Sequence, residues 1–185
     1  MNLNLFFTPT DILLPAHADM RRWSVIACDQ FTADAGYWQA VQDTVCDAPS
    51  TLPQRCNRTI HIIFVPEFYL GKCDEAAATR EIQQTMRRYL DDGVFRTVPH
   101  GLVLVQRTLP GGAVRCGVVG ALDLEAYDYA PDSVTPIRAT EGTVASRLPA
   151  RVRIRAAAAL EMPHIMVFYS DPEDTIRREA QAAAG

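Results

Sequence analysis

Arginines crowd one stretch of this chain. Residues 137–160 read IRATEGTVASRLPARVRIRAAAAL and hold Arg138, Arg147, Arg151, Arg153 and Arg155, with Glu141 the single acid among them. The span carries +4 on a chain of net charge −4, so the remainder carries −8. A positive island on an acidic protein concentrates field and faces an anionic ligand or an acidic partner surface. The chemistry on offer is the gripping of oxyanions, because a guanidinium presents paired N–H donors that match a phosphate or carboxylate edge. Thr140-Glu141-Gly142-Thr143 reads as a helix start. A threonine there caps free N–H groups, a glycine lets backbone approach a ligand, and the freed amides add to an anion site.

These groups need elements to hold them. Two i,i+4 rows, Val144-Leu148-Val152 and Arg147-Arg151-Arg155, predict a helix over 143–160 with one apolar and one basic row. Pro149 either kinks it or starts a second helix, and the alternation across 151–155 leaves a strand as the other reading. Upstream, residues 23–28 (WSVIAC) form a short apolar run that suits a buried strand. Asp29 and Gln30 follow its end, a common ligand position in α/β sheets, although Asp29 as a simple amide cap is the alternative.

The other elements follow in order. Residues 8–15 make an extended lead-in set by Pro9 and Pro15. Residues 34–46 predict a helix with Tyr37, Trp38, Val41 and Val45 on one face, Trp38 in the core, and 47–57 a loop. Residues 59–65 (TIHIIFV) suit a central strand, with His61 a hydrogen-bonded core residue. Residues 74–92 predict the clearest helix: Asp74 caps it, Ile82, Met86, Tyr89 and Leu90 form its buried stripe, and Gly93 ends it. Arg80, Arg87 and Arg88 read as its solvated face. Residues 102–109 and 114–124 predict strands joined at Pro110-Gly111-Gly112. Residues 125–136 form an acidic aromatic loop, either a lid or a surface connection. Residues 164–170 suit a strand, and Asp171-Pro172-Glu173-Asp174 a helix start. The sum is an α/β (α+β) fold in a single domain over 1–185, a mixed sheet with flanking helices and one β-hairpin.

Composition narrows the function. The chain has 185 residues, 48% hydrophobic and 22% charged, as expected of a soluble globular domain. Its acidic balance argues against nucleic acid, whose binding scales with phosphates neutralised over a broad basic face. The glycines at 111, 112, 117 and 120 match neither GxxxxGKS nor GxGxxG, and fit a turn and close strand packing instead. Cys28, Cys46, Cys56, Cys73 and Cys116 are odd in number and lack CxxC spacing, so they suit free thiols in a reducing cytoplasm rather than a metal site. The first residues lack a basic secretory pattern, and no run reaches membrane-spanning length.

RATEGTVASRLPARVRIR followed by EMPHIMVFYSDP resembles an uncharacterised bacterial and archaeal family, the domain-of-unknown-function family numbered one thousand and fifteen. WSVIACDQFTADAGYW, CDAPSTL and QRTL…GVVGALDLEAYDY agree with it. The resemblance implies a chain about twice as long. The later half would carry a Gly-Asp-Gly-type segment similar to the phosphate motif of the ParB and sulfiredoxin superfamily, which includes nucleotide-hydrolysing clamps and a free-serine kinase. The present chain is then expected to be an N-terminal portion that stops before that motif.

Three readings follow. In the first, the chain is the cytoplasmic phosphate- or nucleotide-binding portion of a kinase-like or nucleotide-hydrolysing protein, using ATP or another nucleotide with magnesium. Arg138, Arg147, Arg151, Arg153 and Arg155 hold phosphate, Thr140, Gly142 and Thr143 supply amides and hydroxyls, Glu141 is the base, and Asp29 holds the acceptor. In the second, it is a non-enzymatic regulatory module whose arginine face docks nucleic acid or an acidic partner. In the third, the arginines pair with Asp123, Glu125, Asp128 and Asp132, and the patch ties this chain to a missing C-terminal half or to a second copy.

Overall fold

The structure, a computed structural model, describes residues 6–16, 23, 28–44, 62–139, 142–162 and 165–184. The expected strand at 24–27, the loop at 47–57, His61, Thr140 and Glu141 lie outside the described residues. The chain is a mixed α/β protein that gathers into two compact units.

The first unit combines Pro15–Arg96 with Val144–Ile165, and every buried core residue among those described belongs to it. Helix α1 spans Ala35–Thr44, within the 34–46 expected. Trp38 is buried, as its place on the apolar face predicts, and its indole N–H donates to the Phe31 carbonyl at 3.0 Å. Ile62 and Ile63 are also buried, yet residues 62–65 form a turn and irregular chain rather than the expected strand. Apolar content reported burial correctly there. A strand also needs a ladder partner, and among the described residues this segment has none.

Helix α2, Glu75–Asp91, forms for the reasons its sequence offers. The Asp74 carboxylate accepts from the Ala77 N–H at 3.0 Å, a cap that contributes about 1 kcal/mol. Gly93 takes φ +63 just past the end. Ile82, Met86 and Tyr89 are buried, with Thr79 and Thr85 beside them; Leu90 is exposed, a correction to the expected stripe. Tyr89 meets Trp23 edge-on at 6.1 Å and Phe95 at 6.3 Å.

Helix α3 is short, Leu148–Arg155, preceded by a 3-10 turn over Ala145–Arg147. Pro149 sits in its first turn, so of the two roles foreseen it opens the helix rather than kinking one. The strand alternative for 151–155 fails for the same reason. The apolar row is a correction too: Val144, Leu148 and Val152 are 52%, 45% and 60% exposed. The helix buries Ile154 instead.

Helix α2 holds α3 by its carboxyl end. The Gln83 carboxamide nitrogen donates to the carbonyls of Arg153 at 2.9 Å and Ile154 at 3.0 Å. Arg87 Nη2 donates to the Ala157 carbonyl at 3.3 Å, so Arg87 does more than face solvent. Arg153 Nη2 pairs with Glu75 at 2.8 Å.

The second unit combines Met1–Leu14, Thr97–Thr143 and Met166–Gly185. The strands occur as four pairs. β1 (Phe7–Thr8) runs antiparallel to β6 (Ala121–Leu122), and β2 (Thr10–Pro15) pairs with β3 (Phe95–Gly101), a strand not foreseen. β4 (Val103–Thr108) and β5 (Val114–Val119) form the expected hairpin, in register from Val103↔Val119 to Thr108↔Val114. Gly112 takes φ +83 in its turn. Gly120 answers a steric demand: a Cβ there would stand 2.7 Å from Leu102 and from Phe7 and 2.8 Å from the Thr8 carbonyl. β7 (Tyr127–Asp128) and β8 (Ile137–Arg138) pair in parallel, so part of the expected loop is ordered as strand. Residues 165–170 form no strand, against expectation, and Ile165, Met166, Val167, Phe168 and Tyr169 are exposed. Asp171 caps α4 (Thr175–Ala184), accepting from the N–H groups of Thr175 and Ile176 at 3.0 and 2.8 Å. The helix therefore begins after Pro172-Glu173-Asp174, not within it.

The Gln83 contacts are testable. Gln83→Ala is expected to lower unfolding free energy by about 1–2 kcal/mol in urea titration, since two carbonyls lose their donor. Arg80→Ala, on the exposed face of the same helix, should stay within about 0.5 kcal/mol of the parent.

Candidate functional site

The site begins with the phase of α3. Because α2 holds its end, the inward edge runs Arg147, Ala150, Arg151, Ile154, spacing i, i+3, i+4, i+7. Two of those four are arginines, whose aliphatic stems can lie along an apolar wall while their heads stay polar. Opposite them stand Cys28, Phe64, Val65, Glu67 and Leu70. Two loops are joined to make that wall. The Glu67 N–H donates to the Cys28 carbonyl at 2.8 Å, and the Cys28 thiol donates to the Phe64 carbonyl at 3.2 Å. Those bonds bring Asp29 and Glu67 to the same arginines.

Arg147 Nε lies 2.7 Å from Glu67 Oε1, an oxygen closed off from solvent. The N–H is not aimed along the oxygen, so the pair is ionic without an aligned hydrogen bond. Arg147 Nη1 and Arg151 Nη2 converge on one atom, Asp29 Oδ2, at 3.9 and 4.0 Å. These contacts are loose, and the Asp29 side chain is 44% exposed. The Phe64 ring lies beneath two guanidinium groups, Arg151 at 5.4 Å and Arg155 at 5.7 Å. The cleft holds about 20 Å³, room for a water-sized guest. A phosphate group would have to sit at its mouth, where Asp29 now reaches.

The expected site residues therefore separate. Asp29, Arg147 and Arg151 come together. Arg155 pairs with Glu161 at 2.5 Å, and Arg153 turns to Glu75. Arg138, Gly142 and Thr143 belong to the other unit; the Arg138 Nε–H donates to the Thr135 carbonyl at 3.0 Å. Thr140 and Glu141 lie outside the described residues. The helix start expected at 140–143 is a correction. The 3-10 turn is capped at Val144 and α3 at Arg147, neither with a side-chain hydrogen bond. The positive island is corrected as well, since Arg147, Arg151, Arg153 and Arg155 each stand against a carboxylate. The loop acids Asp123 and Asp128 accept from the backbone N–H groups of Glu125 and Ala130 in their own turns. Among the described residues no three His, Cys, Asp or Glu gather closely enough for a metal ion.

Sequence reasoning missed Glu67, Phe64 and Cys28. Glu67 carried a readable signal: it is the one charge in VPEFYL, and a carboxylate inside an apolar run needs a cation. Burial, with the Asp29 charge adding, pushes the Cys28 thiol from 9.0 up to about 12; Arg151 pulls the other way. Its burial and its bond to the Phe64 carbonyl suit a packing role.

The fold and cleft define a mixed α/β protein with paired arginines answered by carboxylates. Residues 9–184 match the family described as Protein of unknown function (DUF1015), and the chain belongs to that family. No curated protein matches it. No solved structure matches it either. No helix among the described residues is long and apolar enough to cross a membrane.

The raised thiol has a consequence for stability. The folded state holds the Cys28 proton more tightly than the unfolded chain, so this contribution is intact below about pH 9 and is lost as pH climbs toward 12. The slope is at most about 1.4 kcal/mol per pH unit. In urea titrations between pH 8 and 11, Cys28→Ala should fall less steeply with pH than the parent; equal slopes would remove the buried thiol as the cause.

Proposed function

We propose that the chain is a phosphate-binding portion of a nucleotide-handling protein, with the anion seated between Arg147 and Arg151. One observation carries the reading: two guanidinium groups converge on a single carboxylate oxygen, Asp29 Oδ2, so an oxyanion already occupies the place between them. Glu67 holds Arg147 from behind, which orients its outer nitrogens toward that place. A ligand phosphate displaces the Asp29 carboxylate and takes up the same donors in bidentate fashion. Exposed ion pairs contribute about 0–1 kcal/mol, so their exchange costs little. On this reading Asp29 is a placeholder, which revises the acceptor-holding role first considered for it.

The reaction belonging to this reading is phosphoryl transfer or nucleotide hydrolysis, with ATP or another nucleotide as ligand. It rests on the family resemblance, which implies a ParB- and sulfiredoxin-like phosphate motif in a later half that this chain does not include. A cytoplasmic setting fits the thiols of Cys28, Cys73 and Cys116, which form no disulfide.

Thermal melting with and without tripolyphosphate tests the seat. Ligand at about a hundred times Kd adds about 2.7 kcal/mol of stability. Arg151→Glu should abolish the ligand-induced rise in Tm, and Arg153→Glu, whose partner is Glu75 on another wall, should keep it. Asp29→Asn should tighten binding several-fold, because the competing charge is gone. An unaltered rise in Arg151→Glu would remove this cleft from consideration.

A further inference from the structure

We infer that Phe31 is the stacking platform for the base of a nucleotide whose phosphates bind Arg147 and Arg151; this rests on the phosphate reading of that cleft. Phe31 takes φ +53, in the left-handed region. Glycine or asparagine enters that region readily, whereas a bulky aromatic is an outlier there. The conformation is imposed by a rigid anchor. The Phe31 carbonyl accepts from the Asp34 N–H at 3.0 Å and from the indole N–H of buried Trp38 at 3.0 Å. An aromatic ring is thus held where the backbone alone would favour glycine.

The ring does not retreat into the core. It stacks on Tyr37 with centroids 4.1 Å apart and planes 20° apart, and the residue stays 49% exposed. Its position follows from the chain itself. Asp29 is two residues away, so their Cα atoms are within about 7 Å. Asp29 Oδ2 marks the oxyanion place between Arg147 and Arg151. The Phe31 backbone and the aspartate that marks the oxyanion seat therefore lie within the span of one nucleotide. Aromatic rings accept any base on their faces, so the platform specifies a ring-bearing phosphate rather than a particular base.

Calorimetric titration of the full chain with ATP and with inorganic tripolyphosphate decides the matter. The wild type should bind ATP about tenfold more tightly, although tripolyphosphate is the more highly charged. Phe31→Gly, which relieves the backbone, should erase that preference and leave tripolyphosphate affinity unchanged; Phe31→Trp should retain it. Should the glycine variant fail to fold, Phe31→Leu takes its place, with the same loss expected. Equal affinities in the wild type, or a preference that survives loss of the ring, would overturn the assignment and leave the phosphate seat standing. Failure of both ligands to bind the wild type would take down the seat itself and this inference with it.

Discussion

Everything at the cleft depends on one side-chain amide. Helix α3 has only eight residues, Leu148–Arg155, and two turns of helix are marginal by themselves in water. Its last carbonyls have no partner within the helix. Gln83 of α2 supplies donors to two of them, Arg87 reaches a third just beyond, and Ile154 is buried between. These contacts fix how α3 is rotated about its axis. With 3.6 residues per turn, a rotation by one position would carry a different set of arginines inward.

That rotation sorts the charges. Arg147 and Arg151, one turn apart, face Asp29 and Glu67, while Arg153 points to Glu75 at the start of α2. Glu75 is shared, since its other oxygen accepts from the Gly71 N–H at 3.0 Å. The same carboxylate thus steadies the loop before α2 and the basic helix. The opposite wall is stitched by the Cys28–Phe64 and Cys28–Glu67 bonds.

How much of this was legible in the sequence depended on the kind of signal. Local signals read well: Asp74, Gly93 and the turn at Gly112 act on the backbone within a few residues, and α2 and the hairpin followed from them. The signal at Val144-Leu148-Val152 failed because it counted apolar residues and ignored arginine stems. The inward edge is Arg147-Ala150-Arg151-Ile154, half-buried until Ile154 closes it; it looks basic in a sequence and half apolar in space. The run at 59–65 failed differently. Its isoleucines are buried, but strand formation is a property of pairs, and a single run does not name its partner. At the cleft, the arginines were legible by type only: of the five expected, Arg147 and Arg151 converge. Which of them converge was not, because Gln83, Glu67 and Asp29 lie 70, 80 and 118 residues from Arg153 and Arg147.

Arginines with carboxylate partners are usually read as structural, and for Arg153 and Glu75 that reading suffices. The pair at Asp29 differs in geometry. A structural ion pair closes to short range, as Arg147 Nε and Glu67 Oε1 do at 2.7 Å. Asp29 instead stands at 3.9 and 4.0 Å from two guanidinium groups and engages neither closely. Two cations held side by side repel; Glu67 offsets this at Arg147, and the more distant Asp29 relieves the rest only in part. Without the aspartate's charge, Arg147 keeps Glu67 at 2.7 Å and Arg151 keeps the Phe64 ring beneath it. On the proposed reading, two like charges kept together at the mouth of the cleft favour a more highly charged oxyanion over Asp29.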